Sequence, residues 1–205
     1  GALSISGTVD SLYSIAMAGQ TAVQPHTYVF DVENFSLKTG EYSWNNDQDV
    51  QLRLNFDGTR VMHALMVRND EQFSLTGVLH HNGDFDFDAM LNNFDLSEVS
   101  YLVRNQEMRR PDQGFRGRTS ATLHLAGSTE NPVITFAASS DSIFFRQTRI
   151  GSVGADIRYR DLGATIDLTV KKLSQDSVPS LSVKGTLPVN LAFTSVEERF
   201  PDEKQ

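Results

Sequence analysis

Between Ser180 and Phe193 the chain alternates apolar and polar residues with a strict period of two. Leu181, Val183, Leu187, Val189, Leu191 and Phe193 fall in one row, with Gly185 among them. Ser182, Lys184, Thr186, Pro188 and Asn190 fall in the other. A strand sends successive side chains to opposite faces, so this pattern predicts one long strand with an oily side and a wet side. A helix would scatter the same residues around a cylinder. Pro188 brings no backbone donor, which predicts a sheet edge, a bulge or an interruption at that point.

The same phrase recurs. Leu181-Ser-Val-Lys-Gly185-Thr-Leu matches Phe73-Ser-Leu-Thr-Gly77-Val-Leu and Leu3-Ser-Ile-Ser-Gly7-Thr-Val, and more loosely Leu123-His-Leu-Ala-Gly127-Ser. In each copy an alternating run meets a glycine. The intervals between copies are unequal, which excludes a strict solenoid repeat. One strand-and-turn device is reused with different hairpins between.

The remainder follows the same rhythm. Thr27 to Val32 alternates, and the phase slips at Asn34-Phe35, which predicts a bulge there. Val50 to Phe56 leads into Asp57-Gly58, a strong hairpin signal. Val61 to Val67 is apolar on both parities and predicts a strand covered on both faces. Asn69-Asp70, His80 to Gly83, Gly127 to Pro132, Ser139 to Asp141 and Asp161 to Gly163 read as turns. Ser11 to Pro25 shows no firm period. Asp95, with Glu98 three residues on, can cap a helix. Leu96, Val99, Leu102 and Val103 share one helical face. A short helix over about Leu96 to Val103 is therefore expected, its apolar stripe against the oily face of the sheet. Arg104 to Gly114, with the basic pair Arg109-Arg110, reads as a solvated loop in preference to a contact with lipid headgroups. Trp44, the single tryptophan, reads as core in preference to a ligand contact.

Composition narrows the function. A net charge of −8 argues against a nucleic-acid surface. The absence of cysteine removes disulfides and thiolate metal sites. No apolar run approaches the roughly 20 residues of a membrane span. The chain opens at Gly1 inside the repeated phrase, and a segment of a longer protein is expected, with residues 1–195 as one β-rich domain and 196–205 as a charged tail or linker. No nucleophile elbow, phosphate loop or zinc-protease motif is present, so the reading is non-enzymatic, with no cofactor and no metal. The acidic run Asp84, Asp86, Asp88 would sit on one strand face about 7 Å apart per step, which suits water better than calcium.

The order of these pieces resembles the C-terminal region of the TamB family, the translocation and assembly module subunit of bacterial envelopes, within the wider AsmA-like group. The resemblance rests on the alternating strand from Phe85, the Asn93-Phe-Asp-Leu-Ser97 step into a short helix, and Phe115-Arg-Gly-Arg-Thr-Ser-Ala-Thr-Leu-His-Leu-Ala-Gly127 followed by Ser-Thr-Glu-Asn-Pro132. It continues through Ile150-Gly-Ser-Val153, Ile157-Arg-Tyr-Arg-Asp161 and Leu181 to Phe193, and covers roughly Phe73 to Phe193. It implies a full-length protein anchored in the inner membrane of a Gram-negative bacterium that crosses the periplasm as a long curled sheet. It implies roles in phospholipid transport between membranes and in outer-membrane protein assembly, with an Omp85-type outer-membrane partner. It carries over no catalytic residue.

Independently of the resemblance, many one-sided strands with too few helices to cover them must fold over or close. The expected fold is all-β: a long curled antiparallel or mixed sheet, a β-taco or open barrel-like groove, with one short helix. Inward glycines such as Gly77, Gly117 and Gly185 would permit sharp curvature. Phe73, Leu75, Phe85, Phe87, Leu123, Leu125, Ile166, Leu168, Leu181 and Val183 share the inward phase and are the candidate lining of a groove for phospholipid acyl chains. A structural or adhesive β-sandwich or β-solenoid with a filled core, and a closed barrel of lipocalin type, are the competing readings; an unknown hydrolase comes last. Far-ultraviolet circular dichroism should show strand exceeding half of the residues; a helix-dominated spectrum would contradict the period-two reading.

Overall fold

The computed structural model describes residues 1–9, 13–39, 42–98, 114–173, 175–195 and 199–200. Among the described residues strand accounts for 74% and no helix reaches seven residues. The strands are β1 (Ala2–Val9), β2 (Tyr13–Gln24), β3 (Thr27–Thr39), β4 (Tyr42–Asn46), β5 (Val50–Asn55), β6 (Arg60–Arg68) and β7 (Glu71–Leu79). They continue as β8 (Phe85–Asp95), β9 (Phe115–Gly127), β10 (Pro132–Phe145), β11 (Thr148–Arg160), β12 (Gly163–Lys171) and β13 (Leu181–Pro188). All thirteen belong to one sheet, in sequence order, and every pairing is antiparallel. β4 and β5 lie in tandem in one slot, both between β3 and β6. Among the described residues β1 and β13 are the two free edges, so the sheet is not a closed barrel.

A meander of this kind needs only local connections, and the turns carry the chemistry that local reversal requires. Asn69, Asp161 and Leu162 adopt left-handed backbone angles in tight hairpins. At Asp57-Gly58 the Thr59 amide donates to the Asp57 carboxylate at 2.8 Å, which lowers that carboxyl below its ordinary pKa of 3.8.

The predicted bulge in β3 is present. Ala18 pairs with Asn34 but Gln20 pairs with Asp31, so β3 carries one extra residue opposite β2. It lets Tyr28 and Phe30 share a face with Phe35 and Leu37 despite their opposite parity. Further bulges interrupt β8 between Leu91 and Phe94 and β10 between Ser139 and Ile143. The second overturns one expectation: Ser139 to Asp141 is not a turn, because β10 runs through it to Phe145. Gly117 lies opposite this bulge with φ +133°, its α-carbon so close to the Ser142 carbonyl oxygen that a β-carbon has no room.

Two other expectations change. Ser11 to Pro25 contains the twelve-residue strand β2. Its pattern was hidden because alanines (Ala16, Ala18, Ala22) occupy the outward row and Thr21 the inward row. The strand opening at Leu181 ends at Pro188 and does not run on to Phe193. Beyond it burial no longer alternates, since Val189 and Ala192 are both buried while Phe193 is exposed.

The sheet curls. Trp44 on β4 stacks on Phe94 on β8 with ring centroids 6.2 Å apart. β6 and β7 lie between them in the sheet, and three strand spacings on a flat sheet span about 14 Å. Only a concave inner face brings these two rings together. Gly77, on that face, packs directly beneath the Phe87 ring, with the Asp86 carbonyl oxygen 2.7 Å from where a β-carbon would stand. A β-carbon added at Gly185 on the edge strand would meet nothing within 4 Å. Gly77→Ala should therefore lower unfolding stability by about 1–3 kcal/mol through overpacking, and Gly185→Ala should change it by less than about 0.5 kcal/mol. Equal urea midpoints for the two variants would contradict this register.

Candidate functional site

Cross-strand partners in an antiparallel ladder point to the same face, so the register converts the alternation into rows. One row runs Met66, Phe73, Leu91, Ala121, Ala138, Ala155, Leu168, Val183. The next runs Ala64, Leu75, Ala89, Leu123, Phe136, Ile157, Ile166, Gly185. A third runs Met62, Gly77, Phe87, Leu125, Ile134, Tyr159, Ala164, Leu187. Phe85 begins a fourth with Leu79 and Gly127, and Leu181 pairs with Val170 at the other side. All ten residues singled out from the sequence therefore lie on one face. The same face continues through Leu52 and Phe30 toward β1, and through Ile134, Phe136 and Ile157 in the middle. The ten-residue selection omitted these, although their alternation was as clear.

The inner face is only partly covered. Among the ten, Phe85 is buried at 6% exposure, Leu181 and Val183 stand at 51% and 47%, and the other seven are half-buried. No large side chain among the described residues falls below 2% exposure. A sandwich core at crystal-like density would bury such a run of leucines and phenylalanines much more fully.

Each end of the face is crossed by a different device. At one end a turn of 3-10 helix, Leu96–Glu98, follows β8 and turns its polar residues inward. Ser97 and Glu98 are buried. Ser97 shares a hydrogen bond with Tyr42 at 2.5 Å, and the Trp44 indole N–H donates to Glu98 at 3.2 Å. Arg68 donates to Glu98 at 2.6 Å and, through Nε, to Glu71. Its guanidinium lies over the Tyr42 and Trp44 rings, 4.3 and 4.7 Å from their centroids. Glu71 also accepts the Asp95 amide and the Arg118 guanidinium, each at 2.8 Å. Burial pushes the Arg68 guanidinium down, but its hydrogen bonds and charge pairing with Glu71 and Glu98 prevail and raise it above its ordinary value.

The described residues cover only the start of the expected helix. Its observed portion is a single turn, and polar side chains make its described contacts, not the apolar stripe; Val99, Leu102, Val103 and the Arg109-Arg110 loop lie outside the described residues. No sequence spacing announces the charged cluster, because Arg68, Glu71 and Glu98 meet only through the curl.

At the opposite end residues 189–193 leave the edge strand and cross the sheet. The Val189 amide donates to Leu162 O at 2.9 Å, the Leu191 amide to the Tyr159 hydroxyl at 3.0 Å, and the Phe193 amide to Thr129 O at 2.8 Å. The Phe193 ring then rests 5.8 Å from that of Phe85. Val189, Tyr159 and Ala164 form the most buried apolar cluster described, with Ile134 and Leu191 packed against it.

The outer face is mostly polar over β9 to β13 and mixed over the earlier strands, where Val29, Val61, Leu65, Val67 and Val78 stand among polar residues. Asp86, Asp88 and His124 bring one donor atom each within 4.8 Å of one another. His124 Nδ1 lies 3.0 Å from Asp88 and 3.7 Å from Asp86. Each of these side chains is at least 42% exposed, so water competes for every donor, and the trio serves as a solvated surface network. Asp84 stands apart from it. No family model, curated protein or solved structure gives a significant match to this chain. The geometry defines the class: an open, curled, antiparallel sheet with an apolar concave face, a polar cluster at one end and an apolar crossing segment at the other.

Removing Arg68 takes the buried cation from between Glu71 and Glu98 and leaves Glu98 without a charged partner among the described residues, so Arg68→Ala should cost about 3–5 kcal/mol of stability. Lys184→Ala breaks a 2.6 Å pair with Asp167 that is 68% and 38% exposed, and should cost less than about 1 kcal/mol. Urea unfolding of both variants checks the difference.

Proposed function

We propose that this chain is a non-enzymatic segment of a cell-envelope protein whose concave apolar face shelters phospholipid acyl chains, in the manner of the TamB-like proteins its sequence resembles. The observation that carries the reading is the continuous half-covered apolar face on which all ten candidate residues converge. Exposed apolar area on this scale is costly in water, at roughly 25 cal/mol per Å², and points to an apolar occupant.

The chemistry suits a lipid. Rows of Leu, Ile, Phe and Ala offer dispersion contacts without directional demands, as a flexible acyl chain requires. From Val183 to Leu187 the rows advance about 14 Å along the strand, from the alanine-rich row to the row nearest the crossing segment. A headgroup would stay at the open side, in water, and pay no desolvation. Transport between membranes, anchorage in the inner membrane, residence in the periplasm, and delivery to an Omp85-type outer-membrane partner belong to this proposal as the setting in which such a face has a use.

A photoreactive amino acid at Leu168 should capture phospholipid from vesicles of phosphatidylethanolamine and phosphatidylglycerol. One at Asp167, the adjacent outward position, should not. Capture at Asp167 alone, or at neither position in a chain with a native strand spectrum, would return the reading to a structural sheet with a filled core.

A further inference from the structure

Among the described residues, the two edge strands of the sheet both carry the recurring phrase. β1 holds Leu3-Ser-Ile-Ser-Gly7 and β13 holds Leu181-Ser-Val-Lys-Gly185. The sheet has twelve strand slots in strict antiparallel alternation, because β4 and β5 share one. Its first and last strands therefore run in opposite directions. Leu181, Val183, Gly185 and Leu187 occupy the inner row of one edge, and Leu3, Ile5 and Gly7 that of the other.

We infer that β13 of one copy of this chain pairs with β1 of another, antiparallel and head to tail, so that the inner faces of successive copies join. This interface is independent of the lipid reading. Three observations support it.

The first is apolar exposure at the edges. Ile5 is 49% exposed, and Leu181, Val183 and Leu187 are between 43% and 51%. An edge strand with unpaired backbone groups and exposed apolar side chains is a template for another strand.

The second is the missing protection. β1 bears no charged side chain. The only charge on β13, Lys184, is held over its own sheet by Asp167 at 2.6 Å.

The third is register. Within the sheet the glycine of every phrase stands across from a large apolar residue: Gly7 from Ile15, Gly77 from Phe87, Gly127 from Phe85, Gly185 from Ile166. Pairing the two edges with Gly185 opposite Ile5 also sets Val183 opposite Gly7 and Leu187 opposite Leu3. Both glycines then meet the same kind of partner they meet inside. The outward pairs become Thr186 with Ser4 and Lys184 with Ser6, with no like charges opposed.

Such a contact is heterologous, using two different surfaces, so it propagates unless capped. Sedimentation velocity of the 205-residue chain should show a mass that climbs with concentration through successive multiples. Ile5→Lys and Val183→Lys each place a charge on an exposed edge position, where the fold tolerates it. Each variant alone should remain monomeric, and their equimolar mixture should stop at a dimer. A Ser4→Cys, Thr186→Cys double variant of this cysteine-free chain should form disulfide-linked multimers on mild oxidation, while either single variant should give at most a dimer. Cross-strand α-carbons about 5 Å apart suit that bond. A monomer at all concentrations, with both edges left to flanking chain or another protein, would overturn the inference. So would a single-edge variant that assembles with itself as far as the unmodified chain does.

Discussion

The backbone ladder is the interaction on which this structure depends. Most domains of this length hold their elements together by burying side chains between two layers. Here one sheet runs through thirteen strands, and its apolar face meets little but its own concavity. Each strand is held chiefly by hydrogen bonds to its neighbours, each worth a net of about 0.5–1.5 kcal/mol. Register then decides everything downstream. A slip of one residue in any strand would turn its leucines outward and its aspartates inward. The bulges in β3, β8 and β10 show how the chain corrects its phase where the sequence has slipped.

The ends of the curl need different physics, because a ladder cannot close them. At one end a buried set of charges does so. Arg68 sits between Glu71 and Glu98 and over two aromatic rings, and this set ties β4, β6, β7, the 3-10 turn and β9 to one another. At the other end the chain itself returns from the edge strand past the β11–β12 turn, β11 and the β9–β10 turn toward β8, hydrogen-bonded at three points. The two devices differ in what they confer. The charged one demands a single arrangement, since each missing partner leaves a buried charge. The crossing segment rests on small buried residues, Val189 and Ala192, and on backbone donors.

Much of this was legible in the chain. Period-two alternation is local and survives in any sheet, so the all-β class, most strands and the common face of the ten candidate residues could be read directly. The bulge at Asn34 was legible for the same reason, as a break in phase. What escaped has physical causes. β2 is poor in contrast, with alanine where polar residues were sought. The turn expected at Ser139 to Asp141 was a bulge, since small polar residues suit both. The alternation from Val189 to Phe193 persisted after the strand had ended, because a segment crossing an oily face also gains from apolar residues. Arg68, Glu71 and Glu98 were invisible as a set, because curvature, which no spacing encodes, brings them together.

The central claim is that the inner face is open to an apolar occupant, and a single cysteine in this otherwise cysteine-free chain can report on it. Leu123→Cys places a thiol on the inner face and Thr122→Cys one on the outer face of the same strand. Labelling rates with an apolar maleimide, with and without phosphatidylglycerol vesicles, should show both positions reactive in the folded chain and Leu123→Cys alone slowed by lipid. A Leu123→Cys thiol that labels only after unfolding in urea, whatever the lipid, would contradict the open face.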